Sequence, residues 1–252
     1  MHYHLIDTGY ISYAFGDPER RDYLWNHFVD WQHKDAFVCV DSSNSIRKDE
    51  FPSYKQNRQT MKDTITYEQA QEVKQIIRDV NPNIMTYYEW DGYEADDIIG
   101  YLSYELCHDG ATCHITGVDK DLLQLPNVTL STPSGQVSTI HNYVAHQAKT
   151  LQEHITKEPT RWDILKILVV CGDVSDNIER VGRGVKFLRK VGNFWYERNF
   201  FHLLYDEYGE IVNTNLKLAM LPHYSLWNEE FTLDYIDELC YSDGIIKCKD
   251  IA

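Results

Sequence analysis

Positive charge is what this chain has least of. Its 24 Lys and Arg face 39 Asp and Glu, for a net charge of −15. A phosphate-rich partner ordinarily demands a basic surface, so the total by itself argues against nucleic acid. Long apolar runs are missing too: nothing approaches the ~18 residues that a membrane-spanning helix needs. The six cysteines (39, 107, 113, 171, 240, 248) form no CxxC pair and mostly sit in apolar runs. That pattern argues against a structural zinc site and points to buried free thiols in a reducing, cytoplasmic setting. The first residues lead almost directly into a strand pattern, leaving no room for a signal peptide. There is no internal repeat and no low-complexity segment. With 43% hydrophobic residues over 252 positions, the chain has ample material for one large domain or a domain with a smaller helical appendage.

Its acids are not spread evenly. Five short segments within the first 176 residues supply nine carboxylates: Asp7 in HLIDTGY, Asp41 in FVCVD, Glu94, Asp96 and Asp97 in GYEADDIIG, Asp119 and Asp121 in GVDKDLLQL, and Asp173 and Asp176 in GDVSDN. Several follow apolar runs that read as buried parallel strands (Leu5–Ile6, Phe37–Val40, His114–Gly117). In an open α/β sheet the strand C-termini meet at one edge, where such sheets place ligands. Carboxylates gathered there repel one another unless cations neutralise them, and hard divalent ions such as Mg²⁺ prefer oxygen ligands. Taken singly, each segment has a plainer explanation. Acids that open a helix complement its dipole, a lone DxD is usually a solvated turn, and Asp173 and Asp176 fit a helix end followed by an N-cap. Asp7 and Asp41 are harder to dismiss, because a strand end that is buried tolerates unpaired carboxylates poorly.

Periodicity predicts strands over 3–7, 36–41, 84–88 and 111–116. Helices are predicted at about 20–33, 66–80 and 93–107. A hairpin is predicted from 128–132 and 136–140 around Pro133, Ser134 and Gly135. Beyond 142 the pattern is helical to the end. This alternation predicts an α/β parallel-sheet domain over 1–141 and an α-helical region over 142–252. Basic residues collect in two stretches, Arg47, Lys48, Lys55, Arg58 and Lys62, and then Arg180, Arg183, Lys186, Arg189 and Lys190. Tyr10, Tyr13 and Phe15, after the first strand, and Tyr54 could stack on bases. His2 and His4 are poor candidates as ligands of a hard metal.

The segments LIDTGYISYAF, VCVDSSNSIRKDEFPSYKQNR, GYEADDIIG, TGVDKDLLQL and GDVSDNIERVGRGVKFLRKVG together resemble the 5′-nuclease family of flap endonucleases and 5′→3′ exonucleases. The resemblance spans about residues 4–192. It implies a PIN-like fold with a helical arch over about 42–65 and a helix-hairpin-helix-type (helix-three-turn-helix) module over about 173–192. It also implies metal-dependent hydrolysis of DNA near 5′ ends, in replication or repair. First-site metal ligands would then fall on Asp7, Asp41, Glu94, Asp96 and Asp119. Second-site acids would be Asp121, Asp173 and Asp176, with Asp97 available to either. Two Mg²⁺ ions, replaceable by Mn²⁺, are implied, together with K⁺ at the glycine hairpin. Lys55 and Arg58 would act on the scissile phosphate, while Arg47, Tyr54, Gly182, Arg183, Gly184 and Lys186 would bind DNA. The expected partner is duplex DNA with a 5′ end, flap or nick, and an RNA primer as a further substrate. A monomer is expected, without a clamp-binding motif, in a bacterial or phage-infected cell. Three departures stand out: Thr8 where the family has Gly, one extra residue in TGVDKD, and a hairpin about one residue short that lacks Pro-Gly.

Overall fold

The computed structural model describes the chain except residues 25, 27–35, 57–66, 81–85, 109, 133, 148–150, 152–154, 156 and 251–252. It divides into two compact units. The first comprises 1–46, 60–122 and 127–138, and the second comprises 47–59, 123–126 and 139–252. The helical region expected from 142 therefore begins near 139. Residues 47–59, expected within the first domain as part of the arch, group instead with the second. The greater part of the helix predicted at 20–33, and Arg58 and Lys62 of the arch, lie outside the described residues.

The first unit is a six-stranded sheet in the order β3-β2-β1-β4-β5-β6. Its strands are β1 (His2–Asp7), β2 (Ala36–Cys39), β3 (Thr86–Tyr88), β4 (Thr112–Thr116), β5 (Val128–Ser131) and β6 (Val137–Ser138). All neighbours are parallel except β5 and β6, which form the expected antiparallel hairpin. Helix α1 (Thr8–Ala14) leaves β1 directly, and α3 (Tyr67–Val80) packs on it. Ile6, Ile11, Phe15, Leu24, Ala36, Val38, Val40, Val73 and Ile77 form one buried cluster there. Helix α4 (Ala95–His108) packs over β1, β2 and β4, burying Ile98, Ile99 and Leu102. The alternation Leu5/Ile6 sends one residue to each face, so both faces of β1 are buried.

The second unit is helical: residues 47–50 of α2 (Ile46–Glu50), α5 (Ile140–Gln147), α6 (Arg161–Cys171), α7 (Val185–Asn193), α8 (Phe200–Tyr208), α9 (Glu210–Ala219) and α10 (Leu233–Ser242). Helix α6 is buried on nearly every side. A capping box between Thr160 and Asp163 starts it, and Gly172 ends it at φ 65. A Cβ at Gly172 would stand 2.4 Å from the Ile178 carbonyl oxygen, so glycine alone lets the chain double back as Asp173 bridges to Ile178. Among the described residues no helix is long and apolar enough to cross a membrane.

Candidate metal centre

Strand order decides which acids meet. β1 lies between β2 and β4, and the chain changes direction of travel across the sheet at β1, the switch point where open sheets form a crevice beyond their carboxyl ends. Asp7 ends β1, Asp41 follows β2 by two residues, and Asp119 follows β4 by three. Asp7 is 5% exposed. Its Oδ1 accepts the Gly9 amide at 2.8 Å and so caps α1. Glycines keep the space around it open. A Cβ at Gly9 would stand 3.0 Å from Asp7 Oδ1 and 3.5 Å from Asp41 Oδ2, and one at Gly117 would stand 3.2 Å from Asp7 Oδ2. Thr8 uses its hydroxyl to tie the ends of β1 and β2 together, donating to the Cys39 carbonyl at 2.7 Å.

Electrostatics show how crowded this edge is. Burial, then the charges of Asp41 and Asp119, push Asp7 from 3.8 up to about 7, against the pull of the Gly9 and Tyr10 amides. Cys39 is raised by burial and by the charges of Asp7 and Asp96. Asp41 goes the other way. Burial works to raise it, yet Lys74 and the Ala95 amide prevail and lower it. Lys74 Nζ stands 2.5 Å from Asp41 Oδ2, and the Ala95 amide donates to Oδ1 at 2.9 Å. Glu94, whose charge Asp41 feels, accepts from Ser45 Oγ at 3.3 Å. The Asp121 amide donates to Asp119 Oδ1 at 3.0 Å.

Sequence reasoning missed Lys74. Its signal was there: on α3 it shares a face with Ala70 and Ile77, both buried, so a charge interrupts an apolar stripe. Asp97 has a local role. It is 1% exposed and its Oδ2 accepts the Glu94 amide at 3.2 Å, as an acid opening a helix does.

The acidic edge fits a hard divalent cation on two counts. Glycines preserve the space beside Asp7 and Asp41, and the charges of Asp41 and Asp119 help hold Asp7 well above an ordinary carboxylate. Among the described residues, no three His, Cys, Asp or Glu side chains converge into a finished cage.

In the second unit, Asp173 and Asp176 belong to a loop that clasps residues 53–55. Lys55 donates its amide to the Asp176 carbonyl at 2.9 Å and places Nζ 3.7 Å from Asp176 Oδ2. Tyr54 Oη donates to the same carboxylate at 3.2 Å, and Asn177 Nδ2 to the Ser53 carbonyl at 2.8 Å. Lys55 and Asn177 both adopt positive φ, at 54 and 59. Strained backbone of this kind persists only where its surroundings fix it. Asp173 Oδ1 accepts from the Ser175 amide and hydroxyl at 2.7 and 2.6 Å.

Two expected DNA contacts need correction here. Arg47 is 2% exposed and donates to the Met220 carbonyl at 3.0 Å, a strut under α2 rather than a phosphate ligand. Tyr54 is 4% exposed, with its hydroxyl spent on Asp176, so it offers no face to a base. Gly182 and Gly184 precede α7. Gly184 takes φ 87 with nothing within 4 Å of a Cβ, whereas a Cβ at Gly182 would strike the Phe187 ring at 2.6 Å. Arg183 and Lys186 lie beside them in the sequence and are exposed.

Residues 21–156 match the family model described as the 5′-3′ exonuclease, N-terminal resolvase-like domain. The chain belongs to that family. Members with curated names include a DNA polymerase I of Chloroflexus aurantiacus, 33% identical over 154 residues (60% of this chain, 15% of the polymerase). A 5′-3′ exonuclease of Buchnera aphidicola is 31% identical over 155 residues (61% of this chain, 50% of the exonuclease). The chain thus spans half or less of these two relatives' lengths. Among solved structures, a bacteriophage T5 flap endonuclease in a pseudo-enzyme-product complex with DNA and metal ions aligns with a TM-score of 0.66 at 16% identity, over 96% of this chain and 98% of that one. A T5 5′-exonuclease with bound zinc ions aligns with a TM-score of 0.65 at 17% identity, over 90% and 92%. At these identities the likeness establishes the fold.

Proposed function

We propose that the chain is a divalent-metal-dependent phosphodiesterase that cuts DNA near 5′ ends, as a 5′→3′ exonuclease, a flap endonuclease or both. The observation that carries this reading is the placement of Asp7, Asp41 and Asp119 at or just beyond the carboxyl ends of three adjacent parallel strands, with Asp7 pushed up to about 7 by burial and by the charges of the other two. Asp7, Asp41, Glu94, Asp96 and Asp119 are the proposed ligands of the first ion, with Asp121, Asp173 and Asp176 contributing to a second. Membership in the family supports the second set, as does the GDVSDN motif. We assign Asp97 to the start of α4 instead. Mg²⁺ is the proposed physiological ion and Mn²⁺ a substitute. Bound ions would supply charge to a phosphate and acidify water, so no histidine base is required.

The chain's own residues have separate tasks. Lys55, held in place by the 176–177 clasp, is proposed to bring positive charge to the scissile phosphate, with Arg58 beside it in the sequence. Gly184 and its open surroundings, with Arg183 and Lys186, are proposed to accept the duplex backbone, with K⁺ as a further ligand of that hairpin. An RNA primer is a proposed alternative substrate, and a monomer the proposed state.

End-labelled blunt, nicked, 5′-flapped and RNA-primed duplexes, incubated with Mg²⁺ or with chelator, separate these activities. Mg²⁺-dependent release of 5′ mononucleotides or intact flaps is expected. Binding that survives chelation, with no cleavage of any substrate under any divalent ion, would refute the proposal.

A further inference from the structure

Asp41 has no idle oxygen. Oδ1 takes the Ala95 amide at 2.9 Å, and Oδ2 takes Lys74 Nζ at 2.5 Å. Lys74 reaches it from α3, where neighbouring face positions Ala70 and Ile77 are in the core, and its side chain is only 11% exposed. Asp41's own side chain is 31% exposed, and an ammonium at this distance does for its carboxylate what a metal ion would do. A divalent ion on the same oxygen would put two cations side by side. The ammonium also has an alternative: its charge already reaches Glu89, which lies beyond the end of β3 and bonds Arg78 from the same helix.

We infer that Lys74 is a built-in counter-ion of Asp41, which the first divalent ion must displace. Resting on the metal-dependent reading above, this makes Lys74 a positioning residue. It holds Asp41 in place when no metal is present, and it weakens metal binding by the effort of its own removal. Displacement would swing Nζ toward Glu89.

Two measurements on the metal-free full chain test this without reference to cleavage. The first is Mn²⁺ titration followed by electron paramagnetic resonance. Lys74→Met should bind the first Mn²⁺ at least tenfold more tightly than wild type, Lys74→Arg should stay near wild type, and adding Asp41→Asn to Lys74→Met should abolish the gain. Circular dichroism confirms that each variant is folded. The second uses unaltered protein, so it stands even if Lys74→Met unfolds without metal. Brief acetic anhydride labelling, read by mass spectrometry, should modify Lys74 several-fold faster with saturating Mn²⁺ than with chelator. Tight Mn²⁺ binding to wild type with no gain in Lys74→Met and unchanged Lys74 labelling would overturn this inference while sparing the metal-dependent reading. Failure of wild type and every variant to bind Mn²⁺ would overturn both.

Discussion

Replacing Asp7 with asparagine removes one negative charge from a site that cannot solvate it, while keeping the oxygen that accepts the Gly9 amide. The carboxyl is held at about 7 in the folded chain against an ordinary value of 3.8. Between those two values the unfolded chain gives up its proton and the folded chain keeps it. Folding stability is therefore fully present below about pH 4 and falls as pH rises toward 7, beyond which the loss is complete. At about 1.36 kcal/mol per pH unit, the gap amounts to roughly 4 kcal/mol at pH 8 and roughly 2 kcal/mol at pH 5.5. Asparagine escapes this cost. In urea unfolding with chelator present, Asp7→Asn should be more stable than wild type at pH 8, by an amount that shrinks by roughly 2 kcal/mol at pH 5.5. Millimolar Mn²⁺ should raise wild-type stability and leave Asp7→Asn nearly unmoved, closing the gap. A variant no more stable than wild type at pH 8, or a difference independent of pH, would show that Asp7 is not a strained acid awaiting a cation.

Lys55→Gln should slow cleavage by on the order of 10²-fold or more, yet change the dissociation constant for flapped DNA only slightly, because one contact among many adds little to affinity. Anisotropy in Ca²⁺ alongside single-turnover cleavage in Mg²⁺ reads both, and equal losses would reduce the lysine to a binding contact. Tyr54→Phe should cost about 1 kcal/mol of stability for the lost Asp176 hydrogen bond and leave DNA affinity unchanged, the reverse of what a stacking platform would give. Gly182→Ala, which drives a methyl into the Phe187 ring, should lower the melting temperature. Gly184→Ala, which meets no atom within 4 Å but is strained at φ 87, should weaken duplex binding more than it lowers the melting temperature. If both variants lose melting temperature and affinity in step, the hairpin serves the fold alone.

The strand ends that carry the candidate acids were legible because parallel strands announce themselves. An apolar run that stops at an acid, as at Asp7 and Asp41, fixes both the strand and the end where the acid emerges. The motif GYEADD placed the start of α4 to within a residue or two. What the sequence hid was burial across long separations. Arg47 and Tyr54 sit in a basic, motif-bearing stretch that reads as exposed, yet their partners are Met220 and Asp176, more than a hundred residues away. No local pattern encodes such partners. Lys74 failed for a different reason: a helix face with one lysine among alanine, valine and isoleucine still reads as ordinary amphipathicity, and only the position of Asp41 gives that lysine a purpose.

The clasp on residues 53–55 also bears on the order in which the molecule is made. Every acid of the sheet unit lies at or before residue 121, whereas the seat of Lys55 needs Asp176 and Asn177. Domains generally fold as they leave the ribosome, N-terminal parts first. A growing chain can therefore assemble its acidic edge while the lysine still has nowhere to rest. Completion of Lys55's surroundings is deferred until the helical unit has been synthesised, so an unfinished chain would carry its acidic edge before Lys55 has its seat.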